Sequence, residues 1–205
     1  MARRAALRLT FQPLTGETWP DLVALFGERG ACGGCWCMYW RLPRAQFDRQ
    51  KGAANKRALH RLTTAGEPLG VIAYVGELPV GWCATAPRAA YPGLDRSRLL
   101  AAVDGAPTWS APCLFVTKDY RRRGVSVALL DAAARYAAAH GAPALEGYPV
   151  DSGGAEQPAA FVWTGTPGAF EKAGFVEVAR RSPRRPIVRR TLAGPRTRRR
   201  KEEER

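Results

Sequence analysis

Histidine is nearly missing from these 205 residues: His60 and His140 are the only two. Neither lies near a cysteine in sequence or in expected element order, which argues against a thiol nucleophile activated by imidazole. Lysine is scarce as well. Of the 32 basic residues 27 are arginine. No apolar run is long enough to cross a membrane. At the start, Arg3, Arg4 and Arg8 supply charge, but Thr10, Gln12 and Thr15 interrupt what would have to be the apolar region of a secretory leader. A cytoplasmic setting is therefore expected. No internal repeat is visible.

What is present is a composition that is 46% hydrophobic with a net charge of +14. That is enough apolar material for one sizeable core, expected over residues 1–192, with 193–205 as a disordered basic and acidic tail. The positive charge raises the question of nucleic acid. It is, however, spread along the chain, and the arginine bias accompanies abundant Ala, Gly and Pro. A nucleic-acid partner is therefore disfavoured, and no membrane partner is expected.

The periodicity predicts a first strand over Leu7 to Leu14 and a helix from Thr18 and Pro20 to about Arg29. A second helix is expected from Arg44 to Thr64, then a hairpin of Val71 to Val75 and Val80 to Ala84. A helical turn is expected at Arg96 to Val103, and a last hairpin at Val176 to Arg181 and Ile187 to Leu192. Between the first two helices stands Cys32-Gly-Gly-Cys-Trp-Cys-Met-Tyr-Trp40. The spacing of Cys32, Cys35 and Cys37 could chelate zinc or close a redox disulfide, with Cys83 or Cys113 as a fourth thiolate. No second ligand pair accompanies it, so the leading reading is a packed loop and no metal is expected.

The centre of the chain is Val116-Thr-Lys-Asp-Tyr-Arg-Arg-Arg-Gly-Val-Ser126. A buried strand, Cys113 to Val116, precedes a basic turn, and Val125 to His140 is helical, with Val125, Leu129, Ala132 and Tyr136 on one face. The first N–H groups of such a helix have no intrahelical partner, and the helix dipole adds positive charge there. Arg122 to Ser126 should therefore cradle a phosphate, with Arg121 to Arg123 adding guanidinium contacts and Gly124 permitting close approach.

Arg121-x-x-Gly124-x-Ser126 resembles the Arg/Gln-x-x-Gly-x-Gly/Ala signature of the GNAT superfamily of acyl-CoA-dependent N-acyltransferases. Phe170-Glu-Lys-Ala-Gly-Phe175 is similar to its closing Tyr-x-x-x-Gly-Phe. The resemblance runs from about residue 7 to 192. It implies an α/β (α+β) fold, a twisted mixed and mainly antiparallel sheet with helices on both faces, and acetyl-CoA as co-substrate. By the same resemblance Phe115 and Val116 are the oxyanion and pantetheine contacts, and Arg121, Arg122, Arg123, Gly124, Val125 and Ser126 hold the pyrophosphate. Two residues depart from the pattern: Ser126 stands where Gly or Ala is usual, and Phe170 where many members have the tyrosine that protonates the leaving thiolate.

The resemblance also puts the loop after the first helix along the acceptor cleft, so that Trp36, Tyr39 and Trp40, with Trp82, would form an aromatic wall. Glu146, amid apolar residues on the fifth strand expected from Ala144 to Val150, is the first candidate for the base, its alternative being an exposed edge carboxylate paired with a neighbouring Arg. Tyr148, two residues on, is the candidate acid ahead of Tyr120, and Asp151 could bind the substrate amine. The expected reaction is N-acetylation of a primary amine, on a small molecule or a peptide, by direct attack in a ternary complex. A non-catalytic acyl-CoA-binding module is the alternative, and a basic nucleic-acid-associated protein a more distant one. The resemblance also allows a homodimer.

Overall fold

The computed structural model describes residues 7–192; the expected tail at 193–205 lies outside them. Seven strands form one sheet in the order β1-β2-β3-β4-β5-β7-β6. They are β1 (Leu9–Pro13), β2 (Gly70–Val75), β3 (Leu78–Pro87), β4 (Trp109–Val116), β5 (Ala144–Gly147), β6 (Val176–Arg180) and β7 (Pro186–Thr191). Every neighbouring pair is antiparallel except β4 and β5. A parallel pair needs a crossover, and α5 (Val125–Ala139) supplies it.

One face of the sheet is covered by α5, whose Val125, Leu129, Ala133 and Ala137 pack with Val71, Val80, Leu114 and Val116. The opposite face carries α1 (Trp19–Phe26) and α3 (Ala53–Thr64), with Leu22, Phe26 and Leu59 against Ile72 and Trp82. Burying each large apolar side chain of this kind contributes roughly 1.5–3 kcal/mol. The short α6 (Pro167–Lys172) adds Phe170 to the α5 side. Among the described residues no helix is long and apolar enough to cross a membrane.

Three expectations are corrected. The helix foreseen from Arg44 to Thr64 is two, α2 (Arg44–Arg49) and α3, broken at Gly52, which has φ 82. The break is enforced from outside. The Gly52 N–H donates to the Gly34 carbonyl at 2.9 Å, and a Cβ on Gly34 would stand 2.4 Å from the Gly52 nitrogen, so two backbones meet where only glycine fits. The helical turn expected at Arg96 to Val103 lies earlier, at α4 (Pro92–Asp95), started by Pro92. The fifth strand, expected to reach Val150, ends at Gly147.

A fourth feature shapes the site. Ala84 pairs with Cys113 and Ala86 with Ser110, so Thr85 of β3 faces both Ala111 and Pro112 of β4. This is a β-bulge, and it takes up the residue that has no N–H to give to a ladder. Pairing of β4 with β5 stops at Ala111 and Gly147. Beyond the bulge the two strands part.

Candidate active site

The gap between the parted strands is crossed by the chain that leads into α6. The Leu114 N–H donates to the Trp163 carbonyl at 2.7 Å, and the Val150 N–H to the Gly165 carbonyl at 2.9 Å. Two adjoining cavities lie beneath this crossing. The first, about 270 Å³, is lined by Leu114, Phe115, Val116, Arg121, Ser126, Trp163 and Thr166 among others. The second, about 300 Å³, takes Phe115, Leu114 and Trp163 from the other side and adds Tyr39, Phe47, Lys51, Cys35, Cys37 and Cys113. Cys32 borders both.

Strand geometry decides which backbone groups reach the first cavity. The Thr117 N–H donates to Val80 on β3. Because donors alternate along a strand, Phe115 also faces β3, whereas Leu114 and Val116 face the parted edge. The oxyanion expectation therefore narrows to Val116; the Phe115 N–H belongs to the ladder. The Val116 carbonyl accepts from Arg121 Nε at 2.9 Å, which folds that guanidinium back along the cavity rim. Gly124, at φ 79, is the residue before α5 and turns the chain so that the first N–H groups of the helix open beside Ser126. Val125 is buried beneath them. Arg122 ion-pairs with Glu156, and Arg123 lies over the Tyr120 ring at 5.3 Å, so of the three arginines Arg121 alone lines this cavity.

The expected acid and base are elsewhere. Glu146 is buried and lines neither cavity. Its Oε1 accepts from Arg189 Nη2 at 2.7 Å and Nε at 3.1 Å; its Oε2 accepts from Arg88 Nη1 and from the Tyr148 hydroxyl, both at 3.2 Å. The paired-carboxylate alternative describes it, except that the pair is interior. Tyr148 is buried too, hydrogen-bonded to Ser110 Oγ at 2.7 Å and accepting from Arg88 Nη1 at 2.8 Å. Burial pushes its hydroxyl far above the ordinary tyrosine value, with the Glu146 charge adding to the rise. Asp151 is paired with Arg180 at 2.9 Å and accepts the Gly153 N–H, so its carboxylate is already engaged.

Of the four aromatics expected to line a cleft, Tyr39 alone lines one of the two cavities. Trp36 packs on Trp19 and Phe26 in the core, and Trp82 is buried with its Nε1 donating to Cys37 Sγ at 3.2 Å. Neither lines the two cavities. Trp40 supports the wall from behind, its ring against Tyr39 at 4.8 Å and Trp163 at 5.8 Å. Tyr39 does line the second cavity, edge-on to Phe47 and to Trp163, both at 5.3 Å. Phe47 and Trp163 were not foreseen. Phe47 is the buried residue of α2, one turn after Pro43, and could have been read from that helix start; Trp163 sits in a segment with no periodicity to read.

Burial raises Cys35 to about 12, with the charge of Cys37 adding to it. Cys37 and Cys113 bring their sulfurs to 3.4 Å. Among the described residues no three Cys, His, Asp or Glu side chains are arranged to hold a metal ion.

Solved structures share this fold. An acetyltransferase described as related to histone acetyltransferase HPA2, from Corynebacterium glutamicum, aligns over 91% of this chain and 98% of its own at 18% identity with a TM-score of 0.50. A GNAT-family acetyltransferase from Streptococcus agalactiae aligns over 91% and 99% at 11% identity with a TM-score of 0.53. No curated protein matches the sequence. Residues 35–150, from the cysteine loop through β4, α5 and β5, match the sequence profile of the Acetyltransferase (GNAT) family, and the chain belongs to that family.

Proposed function

We propose that the protein transfers an acetyl group from acetyl-CoA to a primary amine by direct attack in a ternary complex. The observation that supports this reading is the end of β4–β5 pairing at Ala111 and Gly147, beyond which Val116 lines a cavity that also takes in Ser126 at the start of α5 and adjoins a second, aromatic lobe. Acetyl-CoA supplies the activated thioester. The N–H groups at the start of α5, the Ser126 hydroxyl and Arg121 hold its pyrophosphate. The Val116 N–H offers a fixed dipole to the oxygen that becomes negative as the amine attacks.

The second lobe receives the acceptor. Tyr39, Phe47 and Trp163 provide ring faces and edges, and Lys51 is the charged residue among those lining it. Among the described residues a polycation finds no carboxylate on that lining, whereas an amine on an apolar or aromatic body fits. Glu146 and Tyr148 hold the sheet together behind the cleft, and the protons of the amine and of the departing thiolate exchange with solvent. The cytoplasm, where acetyl-CoA is made and thiols stay reduced, is the setting this reading assumes.

Phe170 favours a second reading. The residue at the usual position of the acid is buried against Gly147 and Gly165 in the core, so a module that binds acyl-CoA without turnover is the alternative. Incubation with acetyl-CoA and a panel of arylalkyl amines, hydrophobic amino acids, peptides and polyamines, followed by mass detection of products, separates the two. An acetylated amine from the apolar group supports the enzyme; saturable acetyl-CoA binding with no product from any amine supports the module.

A further inference from the structure

Cys37 and Cys113 belong to elements far apart in sequence, the loop after α1 and strand β4, yet their sulfurs are 3.4 Å apart and both line the second cavity. Cys37 is held there at a backbone cost. Trp36 and Cys37 both have positive φ, 46 and 51, a conformation that residues other than glycine avoid. Two contacts fix the turn: the Trp36 ring sits over Gly30, where a Cβ would come within 2.2 Å of its Nε1, and Trp82 Nε1 donates to Cys37 Sγ at 3.2 Å. The sulfur of Cys37 thus accepts an N–H and faces a second thiol.

We propose that Cys37 and Cys113 form a peroxide-reactive dithiol that closes to a reversible disulfide. The proposal stands apart from acetyl transfer. Its polarity follows from the contacts: the Cys113 thiol, then Trp82, hold Cys37 below the ordinary cysteine value, while Cys113 is raised by the same hydrogen bond and by burial. Cys37 is the attacking thiolate and Cys113 the resolving thiol.

In the first step the Cys37 thiolate attacks one oxygen of hydrogen peroxide. The O–O bond breaks, hydroxide leaves and takes a proton to become water, and Cys37 becomes a sulfenic acid. In the second, Cys113 sulfur attacks the Cys37 sulfur, the S–O bond breaks, and a second water departs with the Cys113 proton. Two electrons pass from the thiols to the peroxide. A disulfide needs ~2.05 Å between sulfurs, so the pair closes by roughly 1.4 Å. The thiol in contact with the Cys37 sulfur is Cys113, not Cys35. Cys32 is exposed, and Cys83 packs on the α5 side of the sheet. The bridge ties the cysteine loop to β4 across the second lobe.

The test is peroxide titration of the reduced full chain, read by intact mass and by peptide mapping after blocking free thiols. The expected result is loss of two hydrogens, a crosslinked peptide pair containing Cys37 and Cys113, and full reversal by dithiothreitol. Cys113→Ser should stop at a sulfenic acid on Cys37 that dimedone traps, and Cys83→Ser should leave the crosslink in place. A Cys32–Cys35 bridge, oxidation confined to Cys32, or Cys37 and Cys113 both recovered as free thiols would overturn the proposal, and the unmutated chain alone is enough to decide it.

Discussion

Arg189 sets its Nη2 2.7 Å and its Nε 3.1 Å from the same oxygen of Glu146, and Arg88 holds the other oxygen at 3.2 Å. The carboxylate that the sequence offers as a base is the centre of an interior ion cluster joining β5, β7 and the turn after β3. Removing its charge should therefore act on stability. Glu146→Gln takes the buried carboxylate from two guanidiniums that keep only Asp95 and Asp104 at the surface, and should cost about 1–3 kcal/mol of folding stability, with acetyl-CoA affinity unchanged in the folded fraction. Denaturant unfolding and acetyl-CoA titration on the same sample check this; full stability with abolished turnover would restore Glu146 as the base.

The aromatic residues divide in the same way. Trp82→Ala and Trp36→Ala should each destabilise by about 3–5 kcal/mol, because both rings are buried in the core. Tyr39→Ala and Trp163→Ala should instead raise the acceptor KM with little change in that of acetyl-CoA. Equal destabilisation across all four would remove the second lobe as the acceptor site.

Phe170 and Gly147 make a third test. A Cβ on Gly147 would stand 2.0 Å from Phe170 Cε1, so Gly147→Ala should lose about 1–3 kcal/mol through overpacking. Adding Phe170→Leu should recover part of that loss in a double-mutant cycle. Additive losses would mean the ring is not the obstacle.

Acid should weaken the fold. The Gly153 N–H and Arg180 hold Asp151 below the usual carboxylate range, and Arg189 and the Ala106 N–H do the same for Asp104. A depressed folded-state value gives stability that is present above the unfolded value of ~3.9 and is lost as pH falls through the folded one. The Tm should be level above about pH 5 and fall below about pH 4. Asp104→Asn and Asp151→Asn should each flatten that acid limb; an unchanged limb would show that the two contacts contribute nothing.

Much of this was open to sequence reading. The strand, basic turn and helix around Arg121 and Gly124 depend on local spacing and caps, and they stand where the sequence puts them. What escaped is set by contacts between distant segments. The break at Gly52 exists because Gly34 comes against it, the bulge at Pro112 depends on register with β3, and the aromatic wall depends on a segment tied to β4 by the hydrogen bond from Leu114 to Trp163. Glu146 illustrates the limit: an acidic residue in an apolar strand reads equally well as base or ion pair until the partners 43 and 58 residues away are known.

The central claim is that the parted edge of β4 and the start of α5 hold acetyl-CoA. Calorimetric titration of the full chain with acetyl-CoA, in parallel with Arg121→Ala, tests it most directly. The account predicts saturable binding to the unmutated chain and a loss of about 10- to 100-fold in affinity for the variant, the worth of one charge-assisted hydrogen bond of ~1.5–3 kcal/mol. No heat of binding to the folded, unmutated chain, or equal affinity in both proteins, would contradict it.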